Sequence, residues 1–261
     1  DALTRDRLVL PTLPEIALHV RQLAQREDVS AADLAKEINK DPALAVRLLR
    51  VANSAAARGG RRVENVHQAV TRLGFDYTRL LVSGLAVEQM FARGAPWLEA
   101  KLRMAWQQSV EVAVSAQVLA THCSWLNPEM AMLGGLVHQI GVLPILRLAE
   151  SNQESLLFPE DLDAVLEQLA PQIGSLVLQA WHFPAELADI PSQWPDFAAD
   201  HDDAPTYADV IRVAVLMSSA GQLPQWRDVD RSQVPAFRKL DIDPSVPLPV
   251  DLQASPFASM A

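Results

Sequence analysis

NPEMAMLGGLVHQIGVLPIL, residues Asn127 to Leu146, decides how the rest of the chain is read. Asn127 suits a helix N-cap, Pro128 its first turn, and Glu129 the positive end of the helix dipole. Met130, Met132, Leu133, Leu136, Val137 and Ile140 then leave no polar face, and a helix apolar all round is a buried one. Gly134 and Gly135 each cost roughly 1 kcal/mol against alanine within a helix. Two in a row predict that another backbone passes close by. The segment ends in His138-Gln139-Ile140-Gly141 before a second apolar run, Val142 to Leu148. A histidine and a glutamine in a buried segment require hydrogen-bond partners.

The 261 residues accommodate one large domain or two smaller ones. Apolar residues make up 49% and charged residues 21%, the balance of a globular protein. No apolar run reaches the roughly 18 residues that span a bilayer. DALTRDRLVL lacks the architecture of a signal peptide, and a start at Asp1 without methionine suggests a fragment of a longer chain. The single cysteine, Cys123, excludes an intrachain disulfide, and the expected location is the cytoplasm. His122 and Cys123 are sequence neighbours, which point about 100° apart on a helix, so Cys123 is read as structural.

The net charge of −10 is uneven. Residues 1–94 hold 14 Lys and Arg against 11 Asp and Glu; residues 95–261 hold 8 against 21. The acidic half argues against broad nucleic-acid binding. The basic half leaves room for a small anionic ligand or an acidic partner.

Nearly every segment has helical periodicity, and no alternating strand or internal repeat is present, so the expected class is all-α. Leu13-Pro14-Glu15 opens a helix to about Gln25. Ser30, with Asp33 three residues on, forms a capping box. Asp41-Pro42 is a cap followed by proline at the first helical position, and the helix PALAVRLLRVANSAA follows. Asn53 and Ser54 are expected to fix the end of that helix through side-chain-to-backbone bonds. The basic, glycine-containing loop Ala56 to Arg62 breaks the pattern. Arg58, Arg61 and Arg62 there are candidate anion contacts, weighed against a plain solvated connection. Val66 to Leu73 ends at Gly74, and a helix runs from about Asp76 to Phe91.

Gly94-Ala95-Pro96 is the expected boundary between a first helical subdomain, residues 1–94, and a second, residues 95–220. The second opens with a long helix, about Trp97 to Thr121. Phe158-Pro159 and Ala170-Pro171 are read as two further helix starts, with Pro191 and Pro195 breaking the region beyond. Thr206 to Ser219 reads as helix. Residues 221–261 form a proline-rich, aperiodic tail, either a docked strap or disorder. Trp194 and Trp226 lie in irregular segments and are candidates for partner contact.

Gly135-Leu136-Val137-His138-Gln139-Ile140-Gly141-Val142-Leu143 resembles the core motif of the HD superfamily of metal-dependent phosphohydrolases. In that motif a metal-binding His-Asp doublet precedes Ile-Gly; here Gln139 replaces the aspartate. The first half resembles the HDOD family, an HD-related output domain of bacterial signalling proteins. The matching residues are Leu10-Pro11-Thr12-Leu13-Pro14, Ile38-Asn39-Lys40-Asp41-Pro42-Ala43-Leu44, Asn53-Ser54 and Leu73-Gly74. The likeness covers roughly residues 8–220. It implies two helical subdomains, the second descended from the hydrolase fold, with Asp41, Pro42, Asn53, Ser54, Gly74 and Gly141 as framework positions.

The same resemblance places Gln108, Ala170, Gln193 or Trp194, and Met217 or Ser218 where catalytic relatives carry metal ligands. Only His138 survives. A divalent metal usually needs three protein ligands with charge to match. His19, His67, His122, His182 and His201 share no ligand spacing. The expectation is no catalytic residue, no metal and no cofactor, with His138, Gln139 and Gln108 as a remnant and His138 bonded to backbone or to an amide. The implied function is a non-catalytic signalling module that meets other signalling proteins or senses a ligand. The alternatives are a phosphohydrolase or cyclic-dinucleotide phosphodiesterase with a rearranged metal site, and a nucleotide receptor without catalysis.

Overall fold

The computed structural model describes residues 10–24, 26, 28–56, 62–92, 94–151, 159–201, 204–252 and 257, without the side chains of 54–56 and 159–161. Among these residues every regular element is a helix. The chain divides into two compact units, one of residues 12–90 and 253–259, the other of residues 1–11, 91–252 and 260–261.

The first unit contains α1 (Glu15–Leu23), α2 (Ala31–Ile38), α3 (Pro42–Ala56), α4 (Val66–Leu73) and α5 (Phe75–Phe91) up to residue 90. Its helix starts follow from local chemistry. The Ser30 hydroxyl accepts from the Asp33 amide at 3.2 Å, and the Asp33 carboxylate accepts from the Ser30 amide at 3.0 Å. Asp41 Oδ1 accepts from the amides of Ala43 and Leu44 at 2.9 and 3.1 Å, and Pro42 has no amide hydrogen to satisfy. Gly74 caps α4 with φ of +79°, a conformation open to glycine at no steric cost. Leu34, Ile38, Leu48, Val70, Leu81 and Leu85 are buried in this unit.

The second unit holds α6 (Pro96–Ala120), α7 (Pro128–Val137), α8 (Val142–Ser151), α9 (Pro159–Ala180), α10 (Ala185–Ala188), α11 (Ile190–Gln193), α12 (Tyr207–Met217) and α13 (Pro235–Lys239). Asn127 Oδ1 caps α7, accepting from the amides of Glu129 and Met130 at 2.8 and 3.1 Å. Residues Ala131 to Val137 are buried throughout, and α7 makes its most extensive contact with α6. A Cβ on Gly135 would lie 2.4 Å from the Ala113 Cα of α6, which is the close backbone approach expected of the glycine pair. Gly134 differs: its hydrogen faces side chains, with Ile190 Cδ1 2.7 Å from a would-be Cβ. Pro128–Ser151 is long and apolar enough by composition to cross a membrane, but 83% of its most apolar stretch is buried inside the protein.

One proline reading is corrected. Ala170-Pro171 starts no helix; Pro171 lies inside the continuous α9. A proline leaves the carbonyl four residues back without its partner. That carbonyl belongs to Glu167, an exposed residue. Pro191, read as breaking the region, follows the end of α10 and sits in the first turn of the separate four-residue α11, where no amide hydrogen is needed. Residues 221–252, set apart in the sequence as a tail, group with the second unit. They are mostly irregular, yet α13 forms at Pro235 and buries Ala236 and Phe237, contacting α12.

Candidate functional site

α7 ends at His138, which is 1% exposed. Its Nδ1 lies 2.6 Å from the Gly135 carbonyl oxygen, and a carbonyl only accepts, so Nδ1 carries the proton. Burial in apolar surroundings pushes the ring pKa down to about 4, the Gly135 bond opposing that shift only in part. The ring is therefore neutral at pH 7, and Nε2 is an acceptor. Nε2 takes its hydrogen bond from the Gln139 amide nitrogen at 3.1 Å. The same nitrogen lies 3.4 Å from Gln108 Oε1 on α6. Trp194 meets the imidazole edge-on, with ring centroids 5.3 Å apart.

These groups form one side of a cleft of about 430 Å³. Lys101, Ala105 and Gln108 come from one face of α6, spaced as successive turns of a helix are. Asp163, Leu166, Glu167 and Ala170 come from one face of α9. Trp194 and Trp226 supply aromatic wall, their rings 5.8 Å apart and edge-to-face, with Phe197 against both. Lys101 pairs with Asp163 at the rim.

The floor is held by main chain. A Cβ on Gly141 would lie 2.0 Å from the Ala170 carbonyl oxygen and 2.6 Å from the Gly174 nitrogen. Gly141 is thus required by direct packing of the His138–Gly141 turn on α9.

The structure brings His138, Gln139 and Gln108 together. Arg58 and Arg61 lie outside the described residues, and Arg62 is exposed in the other unit. Asn53 ties the end of α3 to the strand of chain beyond the loop: its Nδ2 donates to the Leu49 and Val63 carbonyls, both at 2.9 Å, and its Oδ1 accepts from the Val63 amide at 2.8 Å. The Ser54 side chain is outside the described residues. Cys123 is buried, which raises its thiol pKa. Lys101, Asp163 and Glu167 were not singled out in the sequence. Their spacing on α6 and α9 was the available signal, but only the structure shows which helix faces meet.

The HDOD domain family model matches residues 10–193. The chain belongs to the HDOD domain family. A solved protein of Shewanella amazonensis SB2B, by its name a candidate metal-dependent phosphohydrolase, is 30% identical to this HDOD chain. Its TM-score is 0.79, with 100% of this chain and 95% of that one covered. A candidate signal transduction protein from Marinobacter aquaeolei VT8 is 24% identical with a TM-score of 0.60, over 92% of this chain and 55% of its own, a likeness of fold. An uncharacterized protein of Treponema pallidum (strain Nichols) is 23% identical over 189 residues, 67% of this chain. The HDOD chain spans about a third of that relative's length, 35%.

A divalent metal, as the HD superfamily implies, does not fit the residues present. Both nitrogens of His138 are engaged by Gly135 and Gln139, and the neighbouring donors are neutral amides. Trp194 packs on the imidazole where the family resemblance would put a further ligand at Gln193 or Trp194. Asp209, on α12, is committed to capping Thr206 and to Arg212 at 2.7 Å. Among the described residues, no three His, Cys, Asp or Glu side chains are grouped to hold a metal ion.

Proposed function

We propose that this HDOD domain is a regulatory module that performs no hydrolysis, acting through ligand sensing and contact with other signalling proteins. One observation carries the reading. The ring that would be a metal ligand is buried, neutral and hydrogen-bonded on both nitrogens, with two glutamines in place of charged donors. A neutral amide lacks the charge that holds a hard divalent ion. The rearranged-metal alternative needs a carboxylate cluster, and the two acids lining the cleft, Asp163 and Glu167, are both exposed side chains of α9. The family resemblance supports the regulatory assignment, as does the signalling name of the Marinobacter protein.

The test is metal content by inductively coupled plasma mass spectrometry, after exposure to manganese, iron, zinc and nickel and desalting. It is run beside turnover assays with bis-p-nitrophenyl phosphate and cyclic diguanylate. The expected result is metal far below stoichiometry and no phosphate-ester cleavage. Stoichiometric metal that is lost in His138→Ala, together with turnover, would overturn the reading.

A further inference from the structure

The network at His138 fixes which atoms of the two glutamines remain available. The Gly135 carbonyl obliges Nδ1 to donate, so in the neutral ring Nε2 accepts, and the Gln139 atom facing it is the amide nitrogen. That nitrogen in turn faces Gln108 Oε1. What is left is the Gln139 carbonyl oxygen, an acceptor, and the Gln108 amide nitrogen, a donor. Neither has a partner among the described residues. The contact between their sister atoms, 3.4 Å, holds the two amides next to each other. Both side chains are half-buried and line the cleft.

We propose that this cleft binds an uncharged, planar heteroaromatic molecule that carries a hydrogen-bond donor beside an acceptor on one edge, as a nucleobase or a pterin does. This rests on the non-catalytic reading, since a metal on His138 would dissolve the network that sets the polarity. The acceptor and donor of Gln139 and Gln108 meet the complementary edge of the ring. Trp194 and Trp226 offer aromatic surface for the face of the ring.

The charges around the cleft select against an anion. Lys101 is already paired with Asp163, Glu167 adds a second negative group, and the buried imidazole is neutral. A phosphate would meet excess negative charge with no guanidinium among the described lining residues to receive it. The volume of about 430 Å³ falls in the span of small-molecule sites, roughly 300–1,000 Å³. The chemistry therefore points away from the phosphate esters of the hydrolase superfamily and toward their neutral base portion.

The experiment is calorimetry, with tryptophan fluorescence in parallel, on the full chain at low salt. The probes are adenosine, guanosine and pterin, with adenosine and guanosine 5′-monophosphates as charged counterparts. At least one neutral probe is expected to bind saturably, its phosphorylated counterpart about tenfold or more weaker. Gln108→Leu and Trp226→Ala are each expected to weaken binding about tenfold while retaining the wild-type circular dichroism spectrum. Absence of saturable binding by every neutral probe would overturn the inference, as would tighter binding of a monophosphate. So would unchanged affinity in both folded variants. Any of these without metal or turnover leaves the non-catalytic reading standing, whereas stoichiometric metal with cleavage removes that reading itself.

Discussion

Two buried polar centres, one in each unit of the chain, are built from opposite materials. In the first unit the Glu88 carboxylate on α5 is fully buried and pairs with Arg47 of α3. Burial lowers the pKa of the Arg47 guanidinium, with Arg50 adding repulsion. The second unit also buries the Asp209–Arg212 ion pair on α12, but its centre at the cleft is neutral: His138, Gln139 and Gln108 share hydrogen bonds and no ion. A buried charge demands its partner, whereas a neutral network tolerates the loss of one member far better. The first arrangement locks two helices; the second leaves unused hydrogen-bonding capacity at the edge of a cleft.

The sharpest way to break this contrast is to remove one member from each centre. Arg47→Met strands the Glu88 carboxylate in the core and is expected to cost about 3–5 kcal/mol in urea unfolding. Adding Glu88→Leu should recover much of it; a single variant as stable as wild type would show that the pair is not the organising contact.

Acid tests the neutral centre. The folded pKa of His138 lies below its ordinary value, about 4 against 6.5, so between those values the unfolded chain binds the extra proton. Stability is undiminished above pH 6.5 and falls as the pH drops through this window, by about 3 kcal/mol in all. His138→Gln should flatten this portion of the pH profile of unfolding. An unaltered slope in the variant would mean that the imidazole is not held neutral.

Gly135→Ala should cost about 1–3 kcal/mol, because a methyl would collide with the Ala113 backbone, which cannot yield as a side chain can. Gly134→Ala should cost less in the same thermal melt, since it meets the movable end of Ile190. Equal losses would contradict the distinction. The smallest effect, about 1 kcal/mol, is expected for Asn53→Ala, a neutral amide in the same unit as the Arg47–Glu88 pair. Amide hydrogen exchange at Val63 reports it directly, and unchanged protection there would show that the Asn53 bond is dispensable.

What could be read in the sequence was local or periodic. An apolar helix ending in His138-Gln139 pointed to the polar centre of the second unit because the two polar residues interrupt a buried segment. Asp41-Pro42 and Ser30 fixed helix starts because caps act within three residues. Pro171 misled for the same reason: the rule is local, and the helix continues through it, the orphaned carbonyl belonging to the exposed Glu167. The partnership of Trp226 with Trp194 was hidden, since neither segment has a period and their meeting depends on how α12 turns the chain back. The pairing of Arg47 with Glu88 was hidden likewise: both sit on helices whose spacing gives the buried face but not the neighbour.

The contact at Gly141 has a consequence for how such a site can change over generations. It joins main chain to main chain, so it is indifferent to the side chain carried at 170. A residue there can be exchanged for alanine and the turn still rests on α9. A scaffold with that property can exchange the side chains around its cleft one substitution at a time and keep its shape, which leaves a lineage free to vary what the cleft does.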